Sequence, residues 1–220
     1  MGNTFFRVSS TAERSGFWYN VFDVLLNVVV IVTVVAIIRA FVVAPFEVEG
    51  SSMLSTLEDN QYIIINKLGY LLGEPHRGDV VVFHPPDDGR KYYVKRIIGL
   101  PGEDVVIQRG KVFIAQDGKE TELAEPYLDE RNRGHTFRSP VGTGDEMPVT
   151  FHVSPGHYFL LGDNRPGSLD SRGFRNPQGE ETPFVPRERI SGRVWLVALP
   201  ITQSHALETP EYRLPGRVEP

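Results

Sequence analysis

The chain has 220 residues, 40% hydrophobic and 23% charged, with a formal net charge of −5 and no cysteine. That length fits one domain with an appendage, and the missing thiol excludes disulfide scaffolds, thiolate zinc sites, iron–sulfur clusters and cysteine nucleophiles. Mild acidity with 23 Lys plus Arg speaks against a nucleic-acid partner, whose backbone rewards a dense basic face.

After a short segment, 1–16, the first predicted element is a dense apolar run over 17–44 with its heart at 24–38. At about 1.5 Å per residue, a helix of that length exceeds the roughly 30 Å hydrocarbon core of a bilayer. Inside lipid the backbone must satisfy itself, so helix prevails over the strand that so many valines favour in water. Phe17-Trp18-Tyr19 supplies an interfacial aromatic belt. A removable signal peptide cut after Val42-Val43-Ala44 and a buried core helix are the competing readings. The length of the run, Arg39 near its end and Pro45 directly after Ala44 favour a retained transmembrane anchor. Arg7 and Arg14 before the span, against Arg39 and Lys67 after it, orient it only weakly, towards a cytoplasmic N-terminus.

From 45 to 200 the pattern changes to short apolar runs at 61–65, 79–83, 92–98, 104–107, 111–115, 157–161 and 194–199. Turn signals such as Pro101-Gly102, Arg109-Gly110 and Asp117-Gly118 separate them. They predict a mainly β, antiparallel sandwich or barrel. Residues 118–155 are polar and read as an inserted excursion. The tail, 201–220, carries Pro210, Pro215 and Pro220 and is expected to be loosely ordered.

Familiar hydrolase signatures are missing: the chain contains no Gly-x-Ser-x-Gly, Ser-x-x-Lys or His-Glu-x-x-His. The six histidines, His76, His84, His135, His152, His157 and His205, lack metal-ligand spacing and are expected to be structural or at the surface. Arg77-Gly78-Asp79 imitates an adhesion motif but leads straight into an apolar strand, so it reads as a turn.

Three segments stand apart. The run from Pro45 to Leu57 crowds small residues and hydroxyls just after the anchor. Lys95 sits in the apolar stretch Tyr92-Tyr93-Val94-Lys95-Arg96-Ile97-Ile98, where period-2 alternation puts Tyr93, Lys95 and Ile97 on one face. Gly162-Asp163-Asn164-Arg165 opens a polar loop that continues through Ser168 to Asp170-Ser171-Arg172. A serine hydroxyl needs a base to become a nucleophile, and without a placed histidine the available base is a neutral lysine. An ordinary lysine, with a pKa of about 10.4, is neutral in only about one molecule in 2,500 at pH 7. Burial on the apolar face must therefore lower it.

Together the three segments resemble bacterial type I signal peptidases, membrane-anchored Ser–Lys endopeptidases, in residues, order and spacing from about residue 45 to 199. The resemblance implies a signal-peptidase/LexA-like antiparallel β-sheet domain preceded by one transmembrane helix. It makes Ser52, in Ser52-Met53 with Thr56-Leu57, the nucleophile, and Lys95, before Arg96 and Gly99-Leu100-Pro101-Gly102, the general base. Ser168 would orient the lysine amine, while Asp163, Asn164, Arg165, Asp170 and Arg172 would support the site. The oxyanion hole would use the Ser52 backbone N–H. Gly50 stands where some members carry a serine donor, so the second donor falls to Ser51 or another backbone N–H. Ser55 replaces a usual proline. Phe46, Val48, Leu57, Tyr93 and Val94 are the implied substrate-lining residues. The implied reaction needs no metal or organic cofactor and cuts exported, signal-bearing preproteins after Ala-x-Ala-like sites. The implied partners are those preproteins, the lipid bilayer and the secretion machinery, with the catalytic domain on the extracytoplasmic face of the plasma membrane. A same-fold peptidase with a dedicated or self substrate, and a non-catalytic anchored β scaffold, are the other readings.

Overall fold

The computed structural model describes residues 11–116, 118–138, 147–214 and 217–218, and the chain divides after Val42 into two units. The first unit is helix α1 (Thr11–Ile37) and a π-helical turn over Ile38–Val42. Its stretch Gly16–Ile37 has 22 residues of mean hydropathy 2.4, none of them buried. It is long and apolar enough to cross a membrane. With Leu25, Val29 and Ile31 all more than half exposed, the helix is apolar around its circumference, which suits lipid rather than water.

The anchor was expected over 17–44, but the helix begins earlier and Val43 and Ala44 belong to strand β1 (Val43–Glu47). They pair with Asn66 and Ile65 of strand β2 (Tyr62–Asn66). The apolar sequence runs unbroken across this junction, which hides the change from helical to extended backbone. Pro45 suits the new state, because β1 is a sheet edge, where a missing N–H costs no ladder bond.

Helix α2 (Leu68–Leu72) follows, and then strands β3 (Val80–Phe83), β4 (Tyr93–Gly99), β5 (Asp104–Gln108), β6 (Lys111–Gln116), β7 (Lys119–Glu122), β8 (Val149–His152), β9 (His157–Leu161), β10 (Val185–Pro186), β11 (Ile190–Leu199) and β12 (His205–Ala206). The larger sheet runs β1-β2-β11-β3-β4-β9-β10, with β12 on β11, and the smaller runs β7-β6-β5-β8. The neighbours pair antiparallel, as the alternating sequence predicts. Register shifts in β11 at Val194/Leu196 and Val197/Leu199 bend and twist the strand, and the larger sheet curls.

Alternation along β4 serves two cores. Ile97 packs with Val81, Phe83, Leu160 and Phe174, whereas Ile98 faces Val105, Val112, Phe159 and Leu161 beneath the smaller sheet. A third cluster joins Met53 and Leu57 to Ile63, Ile65, Val80, Val82 and Val194. The excursion at 118–155 supplies β7 and β8 to the smaller sheet. The tail also departs from expectation: Tyr212 is 2% exposed within a core cluster, and Thr209 Oγ1 donates to Asp79 Oδ1 at 2.9 Å. One buried aromatic fastens a segment whose prolines suggested looseness.

Candidate active site

Residues 48–57 form a tight turn after β1. Gly50 stands at φ +88 and Ser55 at φ +82, left-handed values, and proline with its fixed φ near −65° cannot adopt the second. Serine in place of the expected proline therefore goes with a turn of different shape. Hydrogen bonds Thr56 N–H to Met53 O (2.9 Å) and Leu57 N–H to Met53 O (2.8 Å) close the turn, while buried Met53 and Leu57 root it in the core. Ser52 is left between core and solvent.

Lys95 lies in β4 opposite Val81 and is only 3% exposed. Its Nζ is 2.7 Å from Ser52 Oγ and donates to Val94 O at 2.8 Å. Burial pushes the ammonium down from 10.5 to about 8, against the opposing pull of Asp170 and Asp163. Tyr93, on the same face, sets its ring centroid 5.5 Å from Nζ.

The loop after β9 closes over this pair. Asn164 N–H donates to Ser52 O at 3.1 Å, and its side-chain amide donates to Ser51 O at 2.9 Å. A Cβ added to Gly162 would fall on Ser168 Oγ and lie 2.5 Å from Ser52 O, so these three residues share one crowded point. Ser168 is buried there, but its hydroxyl finds no partner in hydrogen-bonding geometry. It does not bond to the lysine amine, whose donors go to Ser52 and Val94.

Buried ion pairs hold the loop. Arg96 grips Asp163 through two bonds of 3.0 and 2.6 Å and reaches Gly78 O at 2.8 Å. Thr56 Oγ1 donates to the same carboxylate at 2.5 Å, which ties loop and turn together. Arg172 grips Asp170 at 2.8 and 2.7 Å, and Gly162 N–H donates to Asp170 at 3.0 Å. Burial raises the Asp170 carboxyl, but the Arg172 charge and hydrogen bonds outweigh it and hold the pKa below its usual value; the nearby Ser168 hydroxyl acts in the same direction. Arg165, fully buried, pairs with Glu125 and donates to Thr136 Oγ1 at 2.6 Å. Each pair is bidentate or further bonded, the condition under which burying two charges is tolerable.

A cleft of about 640 Å³ opens beside Ser52 and Lys95, lined by Phe46, Val48, Tyr93 and Val94 as expected, and also by Ile63, Val82, Tyr92 and Leu169. Leu57, expected among these, is not there: it is wholly buried beneath the turn, in the core cluster with Met53, Ile63 and Val80. Arg77 and Asp79 are buried too, Arg77 pairing with Glu103 at 2.6 Å. Arg96, Thr56, Glu125, Thr136 and Tyr127, whose ring centroid lies 3.8 Å from the Arg96 guanidinium carbon, were missed as supports. Arg96 left a trace in sequence as a charge inside an apolar strand, and Thr56 as part of the motif after Ser52.

The model of the family described as signal peptidase, peptidase S26, matches residues 21–199. Signal peptidase I of Bacillus licheniformis is 35% identical over 184 residues, 84% of this chain and 91% of the relative. Signal peptidase I of Bacillus caldolyticus is 40% identical over 167 residues, 75% of this chain and 84% of the relative. A solved signal peptidase I of Enterococcus faecalis V583 is 30% identical, with a TM-score of 0.41, over 56% of this chain and 97% of that one. A match spanning most of the β unit and much of the apolar helix places this chain in the peptidase S26 family of signal peptidases.

Proposed function

We propose that the chain removes signal peptides from exported preproteins by acyl transfer, with Ser52 as nucleophile and Lys95 as general base. Kinship with signal peptidase I enzymes supports the reaction class. The observation that carries the residue roles is a buried lysine amine 2.7 Å from a serine hydroxyl. With the pKa lowered to about 8, about one molecule in ten holds a neutral amine at pH 7, instead of one in thousands.

Neutral Lys95 accepts the Ser52 proton as Oγ attacks the scissile carbonyl, then returns it to the departing amine. The same lysine next activates the water that splits the acyl-enzyme. The Ser52 N–H, with Ser51 beside it, faces the oxyanion, and one such donor is worth about 3 kcal/mol in the transition state. Arg96 and Arg172 have an indirect part. Each neutralises a carboxylate that would otherwise draw the lysine back to its charged form. Ser168, buried where Gly162 and the Ser52 carbonyl meet, is a positioning residue that orients the amine as the proton moves. Phe46, Val48, Tyr93 and Val94 form shallow apolar walls for Ala-x-Ala-like residues. The apolar helix makes this a membrane-anchored protein. In this reading the membrane is the plasma membrane, the N-terminus is cytoplasmic, and the β unit meets the secretion machinery outside.

The test incubates detergent-solubilised wild type, Ser52→Ala and Lys95→Ala with a signal-bearing precursor. Each substitution is expected to cut cleavage at least about a thousandfold. Cleavage at the wild-type rate by both variants overturns the dyad, and a wild type that cuts only its own chain overturns the preprotein substrate.

A further inference from the structure

Beyond β12 the chain reaches the turn that precedes β3. Thr209 Oγ1 donates to Asp79 Oδ1 at 2.9 Å, and Tyr212, 2% exposed, packs its ring on Gly78. A Cβ added to Gly78 would stand 2.6 Å from Tyr212 Cε2 and 3.1 Å from Pro210 Cδ. Gly78 also sits at φ +85. The turn therefore needs glycine twice, for its left-handed backbone and for room beneath the Tyr212 ring.

That turn is fastened to the strand that carries the lysine. Gly78 N–H donates to Ile97 O at 2.8 Å, and Ile97 N–H donates to Asp79 O at 2.9 Å. One residue earlier, Arg96 donates to Gly78 O at 2.8 Å. The carbonyl under the Tyr212 ring is thus one seat of the guanidinium, beside the Asp163 carboxylate and the Tyr127 ring. Asp163 in turn accepts from Thr56, in the turn that carries Ser52. Direct contacts therefore lead from Tyr212 through Gly78, Arg96 and Asp163 to the site.

Charge gives this line of contacts a chemical effect. Asp163 and Asp170, both in the loop after β9, are the carboxylates that pull on Lys95, and Arg96 and Arg172 neutralise them in that order. Val81, opposite Lys95 in β3, is uncharged. The other ionisable groups around the cleft are Glu47, Glu49, Lys91, Tyr92 and Tyr93. A guanidinium that loses its seat on Gly78 O frees Asp163 to favour the charged amine. We propose that Tyr212 is a positioning residue for the reaction at Ser52 and Lys95: through the Gly78 turn it holds Arg96 on Asp163 and so keeps that carboxylate from the lysine amine. The inference rests on the lysine-base reading above.

The experiment measures kcat/KM against pH, from about 6 to about 10.5, for the full chain in detergent with a signal-bearing precursor. Tyr212→Ala is expected to move the midpoint of the acid limb up by about half a pH unit or more. Its kcat/KM then falls at least about threefold at pH 7 and recovers towards wild type near pH 10. Tyr212→Phe keeps the ring and should hold the midpoint within about 0.1. Thr209→Val removes the bond to Asp79 and should move it the same way by about 0.2 to 0.3. Ile114→Ala, in the same core cluster as Tyr212, is the control: it should lower the urea midpoint and leave the acid limb in place. An acid limb unmoved in both Tyr212→Ala and Thr209→Val overturns the proposal, as does a loss equal at every pH or an equal shift in Ile114→Ala. If Tyr212→Ala does not fold, Thr209→Val decides: a raised midpoint supports the proposal and an unmoved one overturns it. Failure of the underlying reading looks different and takes the proposal with it: wild type then shows no acid limb, or Ser52→Ala cleaves as fast as wild type.

Discussion

In the proposed mechanism Lys95 opposes folding in order to work. Burial holds its ammonium at about 8 instead of 10.5, equivalent to about 3 kcal/mol against the charged form. Below pH 8 the folded chain carries that cost in full. Between about 8 and 10.5 the folded lysine has lost its proton while the unfolded one keeps it, so stability rises with pH through this window. Lys95→Met is therefore expected to unfold at higher urea than wild type at pH 7, by up to about 3 kcal/mol, with the difference closing towards pH 10.5. Wild-type kcat/KM should fall as pH drops through about 8. A stability difference constant from pH 7 to 10.5, or a flat activity profile, would sink this account. Lys95 was legible because a charge interrupts an alternating apolar strand. Leu57 and Tyr92 were not: a leucine beside the nucleophile reads equally as wall or core, and Tyr92 joins the cleft only through curl.

At the scale of elements, the loop after β9 and the turn that carries Ser52 behave as one unit, since Asn164, Thr56 and Asp163 bond across them. Gly162 is where they touch, and an added methyl there would strike Ser168 Oγ and press on the Ser52 carbonyl. Gly162→Ala is expected to lower kcat/KM at least about tenfold while costing about 1–3 kcal/mol of stability. Gly173→Ala in the same loop meets only Leu169 Cδ1, at an ordinary 3.5 Å, and is the control. Equal effects of the two on kcat/KM and on urea midpoint would contradict the argument. Strands β3, β4 and β9 could be read from their apolar runs, and the meeting of Ser52 and Lys95 from the flanking motifs. Strand β1 could not, because its valine and alanine continue the apolar helix. Nor could β7, whose sequence Lys-Glu-Thr-Glu carries no apolar alternation and is strand only by pairing with β6. Arg96 and Asp163 stand 67 residues apart, and no local pattern announces such a pair.

For the molecule as a whole, the β unit contains every residue of its three core clusters, which makes it self-sufficient in burial. A chain of 43–220 is expected to unfold cooperatively and to cleave a short peptide with kcat/KM within a few-fold of the full chain. Starting two residues later removes the Val43↔Asn66 and Ala44↔Ile65 pairings and should lower the thermal midpoint by several degrees. A non-cooperative melt of 43–220 would refute self-sufficiency. The buried ion pairs add a consequence of another kind. Arg96–Asp163 and Arg165–Glu125 join segments 67 and 40 residues apart, the distances over which secreted proteins commonly use disulfides, in a chain that has no cysteine. Oxidants and reductants have no purchase on such cross-links, and salt screens buried charges little. Acid acts on a neighbouring buried pair, Arg172–Asp170: its contribution is complete above the usual carboxylate value of 3.8 and is lost as pH falls through the lower folded value. The molecule is thereby indifferent to the redox state of its surroundings and sensitive to strong acid instead.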